Sequence, residues 1–225
     1  MKECTHCQVD KTLCLNHLNQ VQVSESNYFY ERGDLIFEEN QQLKGIYCIK
    51  NGVCKISKMS ANGKEQIIHF LKEGTLLGIR SILNKECTNL RAEALTPVEV
   101  CFIDKKRFFE TLKNNRDFII HLLDTFADYL RSTDDRIVIM GQNKMMVRLA
   151  HFLIKLHTEF GEDQQGNLRL YLKREDMANY MGVTVESTIR MLKDFEHKGL
   201  ILLNGKFLKL IDFSGLEHIS KGFKI

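Results

Sequence analysis

Between residues 115 and 140 the chain has neither glycine nor proline, and its apolar residues adopt a new period. Ile119, Leu123, Phe126, Leu130, Thr133, Ile137 and Met140 recur at alternating steps of four and three. That is a heptad seam, and a long α-helix puts all seven side chains on one line. Phe118, Leu122 and Tyr129 make a second apolar row on the same helix. Two rows suit one face against the preceding domain and one against a second copy, so the reading is a parallel helix pair in a homodimer. Thr133, beside Asp134 and Asp135, would keep that pairing weak.

The regions on either side of this helix have different patterns. Residues 27–104 read as short strands: Tyr28-Phe-Tyr, Leu35-Ile-Phe, Gly45-Ile-Tyr-Cys-Ile, Val53-Cys-Lys-Ile-Ser, Gln66-Ile-Ile-His-Phe-Leu and Val98-Glu-Val-Cys-Phe-Ile. Turn signals lie between them at Arg32-Gly33-Asp34, Asn51-Gly52, Asn62-Gly63 and Glu73-Gly74. Asn-Gly between β-rich runs favours tight hairpins. Strands at this spacing suggest a barrel or a double-sheet jelly roll. Residues 105–111 read as a short helix. Downstream of the seam, a helix from Met145 ends near Gly161.

Composition adds limits. At 44% hydrophobic and 27% charged, the chain is of ordinary globular type. No apolar run approaches the roughly 20 residues of a membrane span. The N-terminus lacks the apolar stretch of a signal peptide. A cytoplasmic location is the expectation. Residues 1–143 hold 19 Lys+Arg and 19 Asp+Glu, whereas residues 144–225 hold 13 and 10. The basic excess therefore lies at the C-terminal end, which permits DNA binding without proving it. Seven cysteines, an odd number, with no export signal argue against a disulfide framework. No nucleophile–base constellation or Walker-type loop appears, so no enzyme is expected.

The segment Lys173-Arg-Glu-Asp-Met-Ala-Asn-Tyr-Met-Gly182-Val-Thr-Val-Glu-Ser-Thr-Ile-Arg190-Met-Leu-Lys-Asp-Phe reads as a helix-turn-helix. A first helix spans 172–180. Gly182 allows the sharp turn, and Thr184 is an N-cap for the second helix. Ile189, Leu192 and Phe195 have the spacing of a partly buried face. Recognition helices read the major groove with their N-terminal residues, here Thr184, Val185, Glu186, Ser187, Ile189 and Arg190. Arg190 suits a guanine edge and Glu186 a cytosine amine. The two also have the i,i+4 spacing of a surface ion pair. Lys173, Arg174 and Lys193 suit phosphates. Next, two apolar strands around Asn204-Gly205 make a wing with Lys206 at its tip.

With these features in place, the chain resembles the Crp/Fnr family of bacterial transcription regulators. The resemblance rests on the glycine-punctuated strands (Gly33, Gly52, Gly74, Gly78), the long helix, and Thr-Val-Glu-Ser-Thr-Ile-Arg in the winged helix. It implies an α+β architecture in four parts. These are a Cys-rich arm over 1–20, a cyclic-nucleotide-binding-like β-roll (jelly roll) over 21–112, a dimerisation helix over 113–142, and a C-terminal winged helix-turn-helix over 143–225. It also implies a palindromic operator in duplex DNA, RNA polymerase as a partner, and a TGA-type core in each half-site read by Glu186 and Arg190. Ile189 stands where the Fnr branch has Ser and the Crp branch Gly. An apolar side chain there favours a thymine methyl.

The same resemblance frames the signal. Members that bind cyclic nucleotides use Gly-Glu for the ribose and Arg-Ser for the phosphate. Here Ile79 stands for the Glu, and Thr88-Asn89 for Arg-Ser, which argues against cyclic AMP. The Fnr branch holds a [4Fe–4S] cluster on Cys-x2-Cys-x5-Cys plus a fourth Cys at the end of the β-roll. This chain has Cys4-x2-Cys7-x6-Cys14, one residue longer, and Cys101 at the fourth position. That set implies an oxygen- or NO-sensitive switch. Four thiolates can also hold Zn²⁺, and Cys4/Cys7 suits a thiol–disulfide sensor. An inert arm with an unknown small ligand, or a constitutive regulator, is the remaining alternative. Cys48 and Cys54, in apolar strands, read as small buried hydrophobes.

Overall fold

The computed structural model describes residues 26–222. Cys4, Cys7 and Cys14 lie outside them. The chain forms two compact units that meet between Asp128 and Tyr129.

The first unit is a β-roll of two four-stranded antiparallel sheets. Its strands are β1 (Ser26–Tyr30), β2 (Leu35–Phe37), β3 (Gly45–Asn51), β4 (Cys54–Met59), β5 (Glu65–Leu71), β6 (Leu76–Leu77), β7 (Arg91–Ala94) and β8 (Val98–Asp104). One sheet runs β1-β8-β3-β6 and the other β2-β7-β4-β5. Ile46, Ile49, Cys54, Ile56, Leu77, Ala92, Val98 and Val100 belong to one buried core. Burying each large aliphatic side chain in such a core contributes about 1.5–3 kcal/mol.

Asn51-Gly52 does not make the expected hairpin. It carries the chain from β3 in one sheet to β4 in the other. Gly52 sits at φ +92°, and a Cβ there would lie 2.3 Å from the Pro97 carbonyl oxygen. Two backbones approach so closely at this crossing that only glycine fits. Asn62-Gly63, in contrast, does close a hairpin between β4 and β5.

Helix α1 (Ile79–Asn84) follows β6, and α2 (Lys105–Asn114) follows β8. The Asp104 carboxylate caps α2 by accepting from the Lys106 N–H. Helix α3 then spans Arg116–Gln142, 27 residues, or about 40 Å. Leu122 is buried, and Phe118 packs edge-on against Phe108 at 6.2 Å. Phe126, counted in the seam, also packs partly on the β-roll core. Ile119, Leu123, Leu130 and Ile137 are exposed, Leu130 to 62% and Ile137 to 65%. Thr133 and Met140 are half-buried. The Thr133 hydroxyl donates to the Tyr129 carbonyl at 2.8 Å.

The second unit begins within α3 and continues through α4 (Met145–Phe160), α5 (Arg174–Met181), α6 (Val185–His197), β9 (Ile201–Asn204), β10 (Phe207–Leu210) and α7 (Phe213–Ser220). Leu149, Phe152, Leu153, Leu156, Leu172, Leu192, Phe195 and Leu216 are buried there. Among the described residues no helix is long and apolar enough to cross a membrane.

Candidate nucleic-acid interface

Helices α5 and α6 form the helix-turn-helix. Gly182 ends α5 at φ +67°, donating its N–H to the Ala178 carbonyl. A left-handed residue at this point lets the chain reverse without a Cβ clash. The Thr184 hydroxyl then accepts from the Ser187 N–H at 3.2 Å, the cap expected for α6. Ser187 is therefore partly engaged in the cap.

The buried stripe of α6 is Thr188, Met191, Leu192 and Phe195. Ile189 does not join it, contrary to the spacing argument, and is 41% exposed. At 100° per residue the stripe centres between Met191 and Leu192, and Ile189 falls at its outer margin. On the outward side, Glu186, Ile189, Arg190, Lys193, Asp194 and His197 line one shallow open depression. Glu186 and Arg190 make no ion pair with each other among the described contacts. The Glu186 carboxyl is held below the usual carboxylate range by its own backbone N–H and by Thr184. Arg190 and Lys193 carry no protein partner among the described residues. Val185 is half-buried at the helix start.

The flanking cations differ from one another. Lys173 is exposed at the start of α5. Arg174 is half-buried, its Nη1 3.6 Å from Met177 Sδ, and burial pushes its pKa down. In the wing Asn204 pairs with Phe207, so the turn residues are Gly205 and Lys206, one later than the Asn-Gly signal placed them. Lys206 is exposed, with Nζ 5.7 Å from the Tyr171 ring and 5.3 Å from the Phe207 ring. Such contacts steady a cation without neutralising it.

The sequence reading missed the support for this reader. Arg136, on the last third of α3, donates through Nη2 to the Tyr180 carbonyl at 2.9 Å. Its guanidinium lies 4.1 Å from the Tyr180 ring centroid, and that ring stacks on Phe152 at 4.7 Å. Arg148 donates to the Met181 carbonyl at 3.4 Å and to the Asn143 carbonyl at 3.0 Å. Two arginines thus cap the open carbonyls at the C-terminus of α5, where positive charge is favoured. Burial lowers the Arg136 pKa, with Tyr180 and Tyr129 opposing the shift.

In the β-roll, the segment that would cradle a cyclic phosphate is occupied by internal bonds. The Thr88 hydroxyl donates to the Glu38 carbonyl and accepts from the Gln41 N–H. Arg80 donates to the Asn89 side chain. Ile79 opens α1 with an apolar side chain. Among the described residues no three metal-ligating side chains stand together. Two thiols do: Cys101 on β8 and Cys48 on β3 are directly opposed in the ladder. Of the four expected donors, Cys101 alone lies among the described residues, where it is 4% exposed.

Comparison with known proteins gives a consistent result. Residues 28–115 match the family model described as the cyclic nucleotide-binding domain, and residues 147–219 match the Crp-like helix-turn-helix domain. The chain is similar to the electron transport regulator A of Shewanella oneidensis, at 28% identity over 99% of this chain and 92% of the relative. It is also similar to the fumarate and nitrate reduction regulatory protein of Escherichia coli K12, at 27% identity over 96% and 90%. Among solved structures, FixK2 from Bradyrhizobium japonicum superposes with a TM-score of 0.78 at 22% identity, over 87% of this chain and 97% of that one.

Proposed function

The chain belongs to the Crp/Fnr family of DNA-binding transcription regulators, and we propose that it works as a homodimer reading a palindromic operator under the control of a redox-labile [4Fe–4S] cluster. The observation that carries the DNA reading is the outward face of α6. There Arg190, Lys193 and Ile189 stand in one depression with Glu186 at the helix start. Arg190 would donate to a guanine edge, Glu186 would accept from cytosine N4, and Ile189 would meet a thymine methyl, giving a TGA-type core per half-site. Lys173, Lys193 and Lys206 would contact phosphates. Arg174, half-buried, has less reach toward a phosphate.

The exposed seam of α3 supports dimerisation. A second copy would cover Ile119, Leu123, Leu130 and Ile137, and would place two recognition helices about 34 Å apart, one DNA turn. RNA polymerase is the partner through which such a dimer acts on transcription.

Relatives named for anaerobic regulation and for fumarate and nitrate reduction support an electron-acceptor signal. The expected donors are Cys4, Cys7, Cys14 and Cys101. When bound, the cluster supplies reactivity toward O₂ and NO. Cys101 on β8 would be the one ligand held by the sheet; the other three fall outside the described residues. The engaged state of Thr88 and Asn89 supports a β-roll that does not use cyclic AMP.

Arg190→Ala tests the DNA reading. It should cost about 1–3 kcal/mol in operator affinity and relax one base position, measured by binding to an operator substitution series. An unchanged base preference would falsify the assignment. Anaerobic purification with iron and sulfide assays tests the signal. A colourless, iron-free protein that binds its operator equally in air and under nitrogen would overturn it.

A further inference from the structure

The chain enters α5 through an extended strap whose side chains alternate. Leu168, Leu170 and Leu172 are buried, whereas Arg169 and Lys173 are exposed and Tyr171 is half-buried between them. Period-two alternation therefore turns Tyr171 outward with the two cations. The strap is fastened to the wing at its start. The Leu168 N–H donates to the Leu208 carbonyl at 2.8 Å, Asn167 bridges to Lys209, and Lys209 Nζ donates to the Gln165 carbonyl at 3.3 Å. Its other end runs into α5 at Arg174. Tyr171 thus stands where the wing and the helix-turn-helix join. On the wing side, Lys206 Nζ lies 5.7 Å from the Tyr171 ring and 5.3 Å from the Phe207 ring. On the helix side, the Tyr171 phenol is near enough to the Arg174 guanidinium to oppose the fall in pKa that burial causes there.

We propose that Tyr171 is a positioning residue for DNA binding: braced by Arg174, its ring holds the wing cation Lys206 in place for the sugar–phosphate backbone. The inference rests on the DNA reading above and adds to it a residue that reads no base. A lysine at a hairpin tip has a long, freely rotating stem, and fixing it against a phosphate costs side-chain entropy. A ring face attracts the ammonium and leaves its whole charge available to an anion, so part of that ordering is complete before DNA arrives. Arg174, half-buried and with less reach toward a phosphate, serves here by steadying the phenol. A tyrosine needed for packing alone would turn inward with Leu170 and Leu172. The strap also ties the position of Lys206 to the start of α5, so the wing and the helix-turn-helix meet the duplex at a fixed spacing. Contacts of this kind set orientation and carry no sequence information.

The test uses full-length protein under nitrogen and a duplex that the wild type selects from a random library. Wild type is compared with Tyr171→Phe, Tyr171→Leu, Lys206→Ala and the double variant Tyr171→Leu, Lys206→Ala. Affinity is measured against salt concentration, on the selected duplex and on a series with single base changes, and melting curves verify the fold. Tyr171→Leu should bind about two- to five-fold more weakly per reader, equally across the series. It should lower the slope of log affinity against log salt by up to about one per reader. Tyr171→Phe, which keeps the ring, should match the wild type. Lys206→Ala should lose at least as much as Tyr171→Leu, and the double variant no more than Lys206→Ala, because residues acting through one contact are not additive. Wild-type affinity and slope in Tyr171→Leu, an equal loss in Tyr171→Phe, a loss confined to particular base changes, or full additivity with Lys206→Ala overturns the inference and leaves the reading of α6 standing. A wild type that selects no duplex overturns the DNA reading and this inference with it. Should Tyr171→Leu melt early, the same cycle with Tyr171→Met decides.

Discussion

In the β-roll, Thr88 has its hydroxyl bonded to the Glu38 carbonyl and the Gln41 N–H, and its backbone paired with Asn40 and Gln41. Nearby, buried Lys55 lies between Glu65 at 3.1 Å and Glu93 at 3.5 Å. On α6 the polar groups are disposed differently: Arg190 and Lys193 project from a helix whose other face is sealed by Met191, Leu192 and Phe195. The first region has its donors engaged within the protein, and the second keeps them for a partner. A small anion needs a cradle of uncommitted donors, which the Thr88 segment lacks. A polyanion needs an exposed row on a rigid support, which α6 provides.

Substitutions on the two sides of this contrast should therefore behave differently. Phe195→Ala, within the seal, should cost about 3–5 kcal/mol of stability, read as a fall in the melting temperature of the full chain. Arg190→Ala on the same helix should leave that melt unchanged. Arg136→Met removes a charged hydrogen bond and should cost about 1.5–3 kcal/mol, seen as weaker operator binding, with Arg136→Lys restoring part of it. If Arg136→Met binds the operator as tightly as wild type, the clamp has no part in placing the reader. Thr88→Val leaves the Gln41 N–H and the Glu38 carbonyl short of a partner and should cost about 1–2 kcal/mol. Titrating cyclic AMP into the wild type should give no binding heat; a saturable heat would contradict the engaged-donor argument.

The smallest effect concerns pH. Asn167 holds the Asp163 carboxyl low, first through its side chain and then its backbone, and Glu186 is held low at the α6 cap. A depressed carboxylate adds stability that is complete above its unfolded pKa of about 4 and is lost as pH falls through the lower folded value. Stability should therefore be flat with respect to these two groups from pH 7 to 5 and decline only in stronger acid. An Asp163→Asn variant that alters the slope near pH 6 would contradict this.

Much of the fold was legible because it was periodic. The strands from Tyr28 to Leu71, the β8 run and the long helix all announce themselves through apolar repeats. Strand β7 did not, since Arg91-Ala-Glu-Ala uses weak strand formers. Ala92 and Ala94 are buried there, and small side chains suit that close-packed position. Helix α1 starts from a left-handed Gly78 with no side-chain cap, so it carries no start signal. Helix α7 has a cap, Asp212 accepting from the Gly215 N–H, yet only eight residues to show a period. At the interface the sequence could propose Glu186 and Arg190 from their place near the start of the second helix and their hydrogen-bonding chemistry. It could not find Arg136, which reaches Tyr180 across 44 positions, nor the opposition of Cys48 and Cys101, which depends on strand register.

Arg136, which grips α5, and Ile137, which faces outward on the seam, are consecutive residues on one unbroken helix. With about 5–6 Å from axis to side-chain tip, a roll of α3 by about ten degrees sweeps both tips through about 1 Å. Taken along the bond, that sweep is enough to break a 2.9 Å hydrogen bond. The two groups are geared together, so a second copy docked on the seam would set the angle of the grip as well. A partner need not touch the reader to decide whether it is held in register.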